Sequence, residues 1–244
     1  MTDGSSMRQH WLALALVLCC GPLQAQSAGT TLVCNGDLGA GLNFNRVAQA
    51  ARAQPASAVP YLNGECGPLF ARVDTFGAAL LPLGSGQLEL STRVVGDGYQ
   101  PADGTLARRR ESVPLGLSTL QVTPYGALMA SLQQDLGASH GKLGSLLYAA
   151  EFPLGPASVY PQLGLEYRNS QYLRYYDGTS AYRPGGASSP FIALFAEVHL
   201  RQRWYFNLNL RKSWQGPSIR NSPLVVHTSP TTALAAISYR FNTD

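Results

Sequence analysis

The sequence predicts an all-β protein: a transmembrane, antiparallel up-and-down β-barrel of about ten strands, preceded by a cleaved signal peptide. Three observations predict it. Charged residues make up only 13% of the 244 residues, against about 25% in soluble domains, while apolar residues are an ordinary 45% and mean hydropathy is near zero. Apolar and polar residues alternate along most strand-like runs, so the two average out. The connections between those runs alternate between long and short, as in barrels with long loops outside and tight turns in the periplasm.

The chain opens with Arg8 and His10 ahead of an apolar run, Trp11 to Cys20, then small residues and a cleavage position after Ala25. The run is too short to span a bilayer as a helix and reads as a secretory signal, giving a leader at 1–25 and a barrel domain at 26–244. Leu18 before Cys19 does not suit a lipoprotein signal. No later stretch has the length of a transmembrane helix, so only a barrel of strands could hold the exported chain in a membrane.

Strands are expected near 32–45, 67–81, 86–98, 113–123, 126–136, 141–153, 157–170, 188–200, 203–214 and 231–241. Tight connections read "LGSG", "TPYG", "LGPA" and "LRQR", and long ones include "RVAQAARAQPASAVPYLNGE" and "QYLRYYDGTSAYRPGGA". Gly and Pro punctuate the tight ones, as turns require. The clearest hairpin is 188–214. Ile192, Leu194, Ala196, Val198 and Leu200 share one face, and Phe191, Phe195, Glu197 and His199 the other. In the return strand Trp204, Phe206, Leu208 and Leu210 alternate with Tyr205, Asn207, Asn209 and Arg211. A soluble surface on the polar face would need a core under the apolar one. A lumen lets the polar groups pair with each other: Glu197 with Arg211 or Arg240, and Glu166 with Arg168, filling a small barrel. The last strand puts Ala233, Ala235, Ile237, Tyr239 and Phe241 outward and Ser238 and Arg240 inward. Ile237, Tyr239 and Phe241 then form the assembly-signal strand.

Cys34 and Cys66 survive removal of the leader, an even number in an oxidising compartment and a candidate disulfide. The expected strands oppose it: Cys34 falls at the inner end of the first and Cys66 at the outer start of the second, roughly 30 Å apart.

Catalytic readings are thin. His199 stands two residues from Glu197 on one face, an orientation that suits a base, with Ser213 or Ser238 as nucleophile. His199 lies at the inner end of its strand and Ser213 at the outer end of the next, which separates them. His140 and His227 fall in outer loops. No metal-ligand spacing, phosphate loop or nucleotide motif occurs, so neither a metal nor a cofactor is expected. The net charge of +4 and the short "ARRRE" at Ala107–Glu111 read as a solvated loop, which gives no case for nucleic acid.

Residues 67–241 resemble the MltA-interacting protein (MipA/OmpV) family of Gram-negative outer-membrane proteins. The stretch from "SLQQDLGASHGKLGSLLY" resembles the family's Leu-Gly…Gly hairpin. A "YYG" loop follows, here Tyr175, Tyr176, Asp177, Gly178 with an intervening Asp. Trp204, Leu210, Ser222 and Pro223 match the family's next run, and "ISYRF" matches its "Y.F" close. The resemblance implies a non-enzymatic envelope protein in contact with outer-membrane lipid, and a scaffold between a murein hydrolase and a murein synthase. A small pore and a surface-exposed adhesin or antigen are the alternatives. A soluble periplasmic β-sandwich module is a third class, one that would not need the alternating connections.

Overall fold

The structure, a computed structural model, describes residues 33–46, 48–49, 56–101 and 107–243. The leader reading at 1–25 lies outside these residues. The strands are β1 (Cys34–Asn45), β2 (Ser57–Cys66), β3 (Leu69–Arg72), β4 (Thr75–Leu83), β5 (Gly86–Arg93), β6 (Pro114–Thr123) and β7 (Gly126–Asp135). They continue as β8 (Lys142–Ala149), β9 (Phe152–Leu154), β10 (Ala157–Arg168), β11 (Ala187–Arg201), β12 (Trp204–Ser213) and β13 (Thr231–Asn242). Two short helices, α1 (Ser170–Tyr176) and α2 (Pro217–Arg220), lie in the connections.

All strand pairs are antiparallel, and all but β13–β1 and β8–β10 join neighbours in sequence. β13 closes on β1 from Asn35↔Asn242 to Asn45↔Thr232, and β10 pairs with β11, so the sheet is a closed barrel. β8 and β9 are two pieces of one stave, both paired to β10, which makes the wall twelve staves. Closure is what lets a wall with an apolar outside keep its backbone groups paired.

The sequence reading undercounts this wall, for two reasons. Residues 57–66, read as loop, form β2; "SAVPYLNGEC" carries Pro60, Asn63 and Gly64, which strands disfavour. The expected strand 67–81 is two, because the chain reverses at Val73–Asp74 without a Gly or Pro signal. Val73 turns with φ 58°, a left-handed conformation unusual for a β-branched residue. β3 is four residues long and pairs only with Asn63–Cys66 of β2. Among the described residues the outer half of β2, Ser57–Leu62, therefore has no strand on that side.

The correction moves the cysteines together. β2 returns to the inner end, Cys34 stands opposite Cys66 in register, and the two are disulfide-bonded. The 30 Å separation came from treating 67–81 as the partner of the first strand. Thr243 ties the C-terminus to the same rim, its Oγ1 accepting from Cys34 N at 2.9 Å.

Connections at the inner end are tight, with Gly84 (φ 59°) and Gly155 (φ 64°) taking the left-handed turn positions. Those at the outer end are longer, apart from Val73–Asp74 and the moderate 136–141 connection. Side chains alternate as expected. Ile237 is 52% exposed while its neighbour Ser238 is fully buried; Leu163, Leu165, Ile192 and Leu194 are likewise exposed. No helix among the described residues is long and apolar enough to cross a membrane. The buried apolar cluster lies at the outer mouth, where Leu143 and Ala187 at the outer strand ends meet Tyr99, Tyr172, Leu173, Tyr176 and Ile219 of the connections.

Candidate functional site: the lumen and its outer cap

The inward file of each strand carries the polar chemistry. Near the inner end, Arg240 of β13 reaches Asp37 of β1 through two bonds, Nε to Oδ1 at 2.8 Å and Nη2 to Oδ2 at 2.9 Å. Its Nη2 also donates to Glu197 of β11 at 2.6 Å, and its guanidinium lies 3.8 Å over the Tyr205 ring. Asn207 donates to Ser238 Oγ at 2.8 Å beside them. On the facing side Arg72 makes a fork to Glu89 at 3.0 and 2.7 Å, with Gln87 and Ser118 donating to the same carboxylate.

A second tier lies further out. Glu166 of β10 receives Arg93 of β5 at 2.9 Å, from four staves away, and Arg211 of β12 at 3.0 Å. Arg168 stands 3.8 Å from Glu166 and 3.2 Å from Asp97. The cavity enclosed by Arg93, Ser131, Gln133, Glu166 and Arg168 is about 10 Å³, room for one water. Across the two tiers five arginines (72, 93, 168, 211, 240) meet six carboxylates (37, 65, 89, 97, 166, 197), Glu65 standing 3.8 Å from Arg72. Among the described residues the lumen is thus internally bonded. Arginine suits this role because its planar fork holds carboxylates bidentately.

Two arginines also stack on phenylalanines that sit against glycines. Arg211 lies 3.7 Å over Phe191, whose ring fills the space beside Gly164 where a Cβ would stand. Arg72 lies 4.0 Å over Phe70, which covers Gly77 in the same way. These glycines are required by close approach of a ring.

The outer mouth is capped. Tyr172 of α1 donates to Asp97 at 2.6 Å, and Tyr99 donates to the Tyr176 carbonyl at 2.7 Å. Tyr176 donates to the Arg110 carbonyl at 2.9 Å, and Arg110 N donates to Tyr175 Oη at 3.0 Å. Asp177, fully buried at the C-terminal end of α1, accepts from Gln49 Nε2 at 2.6 Å. Burial pushes its carboxyl up to about 6 and raises the Tyr172 and Tyr176 hydroxyls. Ser222 donates to the Asp177 carbonyl at 2.6 Å. The Tyr175–Gly178 and Ser222–Pro223 stretches, separate in sequence, thereby meet. A polar hollow of about 320 Å³ at the outer rim is lined by Arg46, His227, Thr228, Ser229 and Thr231.

Of the residues expected in the lumen, Glu166, Arg168, Glu197, Asn207, Asn209, Arg211 and Arg240 share the inward file. The pairing resolves as Glu197 with Arg240, and Glu166 with Arg168 at 3.8 Å and, more closely, with Arg93 and Arg211. His199 stands opposite Tyr205 on the inward file, the ring centroids 5.1 Å apart. It sits exposed at the inner rim, its Nε2 2.8 Å from the Gln202 carbonyl, where the strand register shifts into the turn. Glu197 is taken by Arg240, Ser213 Oγ accepts from Arg211, and Ser238 accepts from Asn207. No base faces either serine. Among the described residues no cluster of His, Cys, Asp or Glu could hold a metal ion. Ile237 and Tyr239 point outward on β13, with Phe241 on the same file.

Sequence reasoning missed Asp37, Arg72, Glu89, Arg93 and Asp97. The spacing in "QLELSTR" puts Gln87, Glu89, Ser91 and Arg93 two apart on one face, a signal available for β5. Asp37 stands alone between glycines, and its pairing needs the register of β13.

Compared with known proteins, residues 38–241 match the family described as "MltA-interacting protein MipA". A relative named "Putative outer membrane protein YiaT" from Escherichia coli O157:H7 is 23% identical over 237 residues, 90% of this chain and 95% of the relative. The protein of the same name from E. coli strain K12 is 22% identical over the same shares. Among solved structures, an anion-selective porin from Comamonas acidovorans is similar at a TM-score of 0.32 and 15% identity, over 83% of this chain and 55% of the porin. This chain thus spans about half of that porin's length. OmpTdeltaL8, a loop L8 deletion mutant of an outer membrane protein of Vibrio cholerae, is similar at 0.31 and 7% identity, over 86% of this chain and 99% of its own.

Proposed function

The chain belongs to the MltA-interacting protein MipA family, and on that premise we propose that it is a closed, non-enzymatic barrel that scaffolds murein-modifying enzymes at the outer membrane. One observation carries the reading: among the described residues every arginine in the lumen is spent on a carboxylate, and the outer mouth is covered by a bonded, apolar-cored cap. Such an interior leaves no oriented nucleophile, and it opposes the flow of solutes. What remains to offer a periplasmic enzyme is the inner rim, where Tyr125 stands 84% exposed in its turn. The family's name supplies the class of partner, a murein hydrolase, with a murein synthase held alongside.

Residues 1–25 serve as the export leader, so the mature chain begins at Gln26, which N-terminal sequencing of outer-membrane material reads directly. Ile237, Tyr239 and Phe241 serve as the outward file that directs assembly. The scaffold is tested on purified barrel in two ways. In planar bilayers it gives no step-like conductance. In detergent it retains a purified lytic transglycosylase, and Tyr125→Ala lowers that retention. Large steady openings with no enzyme retained would replace the scaffold with a pore.

A further inference from the structure

The chain has two lysines, Lys142 and Lys212, and the fold treats them alike. Lys142 is the first residue of β8 and Lys212 the last but one of β12, so both stand at the outer end of the wall. Each neighbours a residue on the inward file, Leu143 or Arg211, so each points outward. Both are exposed. Neither is within ion-pair distance of a carboxylate among the described residues, where the lumen arginines all are.

Exposed cations lie above them on the same arc. Arg174 is on α1, whose N-cap Asn169 accepts from Lys142 N at 3.0 Å. Arg220 is on α2, and Arg183 is in the loop packed on it, where Tyr182 donates to the Ser218 carbonyl at 2.9 Å. None of the three has a carboxylate partner among the described residues. Of the acids around this arc, Asp135 and Asp177 are fully buried and Glu166 is bonded within the lumen; exposed Glu111 accepts from Gly98 N at 3.0 Å. Trp214 and Tyr167, partly exposed on the outward face, mark the level where apolar wall meets water. Lys212 Nζ lies 6.0 Å from the Trp214 ring.

We propose that this arc of β8, β10, β11 and β12 docks the phosphorylated headgroups of outer-leaflet glycolipid. The two lysines choose the occupant. Their stems lie along a face whose solvent is acyl chain, and their ammonium groups rise to the interface, so the anion they meet is one borne on a lipid. A soluble polyanion would be served by cations on the loops and would not use side chains set on the outward file.

The test uses the full mature barrel in detergent micelles, with purified bis-phosphorylated lipid A as probe and retained lipid counted by native mass spectrometry. Bis-phosphorylated lipid A is retained in preference to the same lipid stripped of phosphate. K142Q/K212Q weakens retention by roughly fivefold per lysine, while inner-rim R201Q leaves it unchanged; both variants keep the heat-modifiable gel mobility of a folded barrel. R174Q/R220Q, which touches no strand, weakens it independently. Equal retention of phosphorylated and dephosphorylated lipid overturns the proposal. So does full displacement by acyl-free phosphorylated oligosaccharide at matched phosphate, which would assign the arc to a soluble polyanion.

Discussion

Replacing Glu166 by glutamine keeps the shape of the outer lumen tier and removes its only negative centre shared by three guanidiniums. Arg93 and Arg211 contact its two oxygens at 2.9 and 3.0 Å, and Arg168 lies at 3.8 Å. Arg168 keeps Asp97 at 3.2 Å, so two cations lose their partner. At an effective dielectric near 20, one pair at about 4 Å is worth roughly 4 kcal/mol before desolvation is counted. Removing one member of a buried pair costs about 3–5 kcal/mol, because the other charge stays buried. Glu166→Gln should therefore lower the unfolding free energy by about 3–5 kcal/mol. Urea titration of barrel folded into liposomes, followed by tryptophan emission and by gel mobility, measures it. Adding Arg211→Met removes one stranded cation and should recover part of the loss. A single variant within about 0.5 kcal/mol of wild type would refute the idea that the tier is held by this hub. So would a double variant weaker than the single.

Three further outcomes follow from the geometry. Cys34→Ser opens the loop closed between Cys34 and Cys66, 32 residues apart, and should cost about 3–4 kcal/mol in the same titration, with no change in the folded gel band. Burial raises the Asp177 carboxyl from 3.8 to about 6, so the folded cap binds a proton that the unfolded chain releases between those values. Cap stability is then highest below pH 4 and falls by about 3 kcal/mol as pH rises through 6; limited proteolysis of the outer loops should be slower at pH 5 than at pH 7.5, and Asp177→Asn should flatten that profile. Gly164→Val places a side chain where the Phe191 ring and the Leu146 carbonyl already stand, and should block assembly, seen as loss of heat-modifiable barrel from the outer membrane.

The strands that sequence made legible are those where period-two alternation is uninterrupted. β11, β12 and β13 carry aliphatic outward files and amide or charged inward files, so their faces and the lumen membership of Glu197, Asn207, Arg211 and Arg240 could be read directly. β2 could not, because Pro60, Asn63 and Gly64 dilute its pattern, and that one omission misplaced Cys66 by the height of the barrel. Pairing within the lumen needs closure. Arg93 meets Glu166 only when β5 and β10 face each other around a completed wall, and no local spacing encodes that. The cap was out of reach for a related reason. Tyr172, Tyr176 and Asp177 sit in a loop that looks solvated in sequence, and their partners Asp97, Tyr99, Gln49 and Ser222 come from three other connections. His199 could be placed by parity at the inner end, but its contact with the Gln202 carbonyl depends on the turn that follows.

The low place in the wall beside β2 bears on whether the barrel can be spliced. Leu62 turns its carbonyl toward that side, accepting from Val73 N at 2.8 Å; by alternation Pro60 faces the same way, and it has no amide hydrogen to give. A foreign strand laid along Ser57–Leu62 would find its ladder missing a rung at the middle. Merging of neighbouring copies into a hybrid cylinder by strand addition at this place is therefore disfavoured.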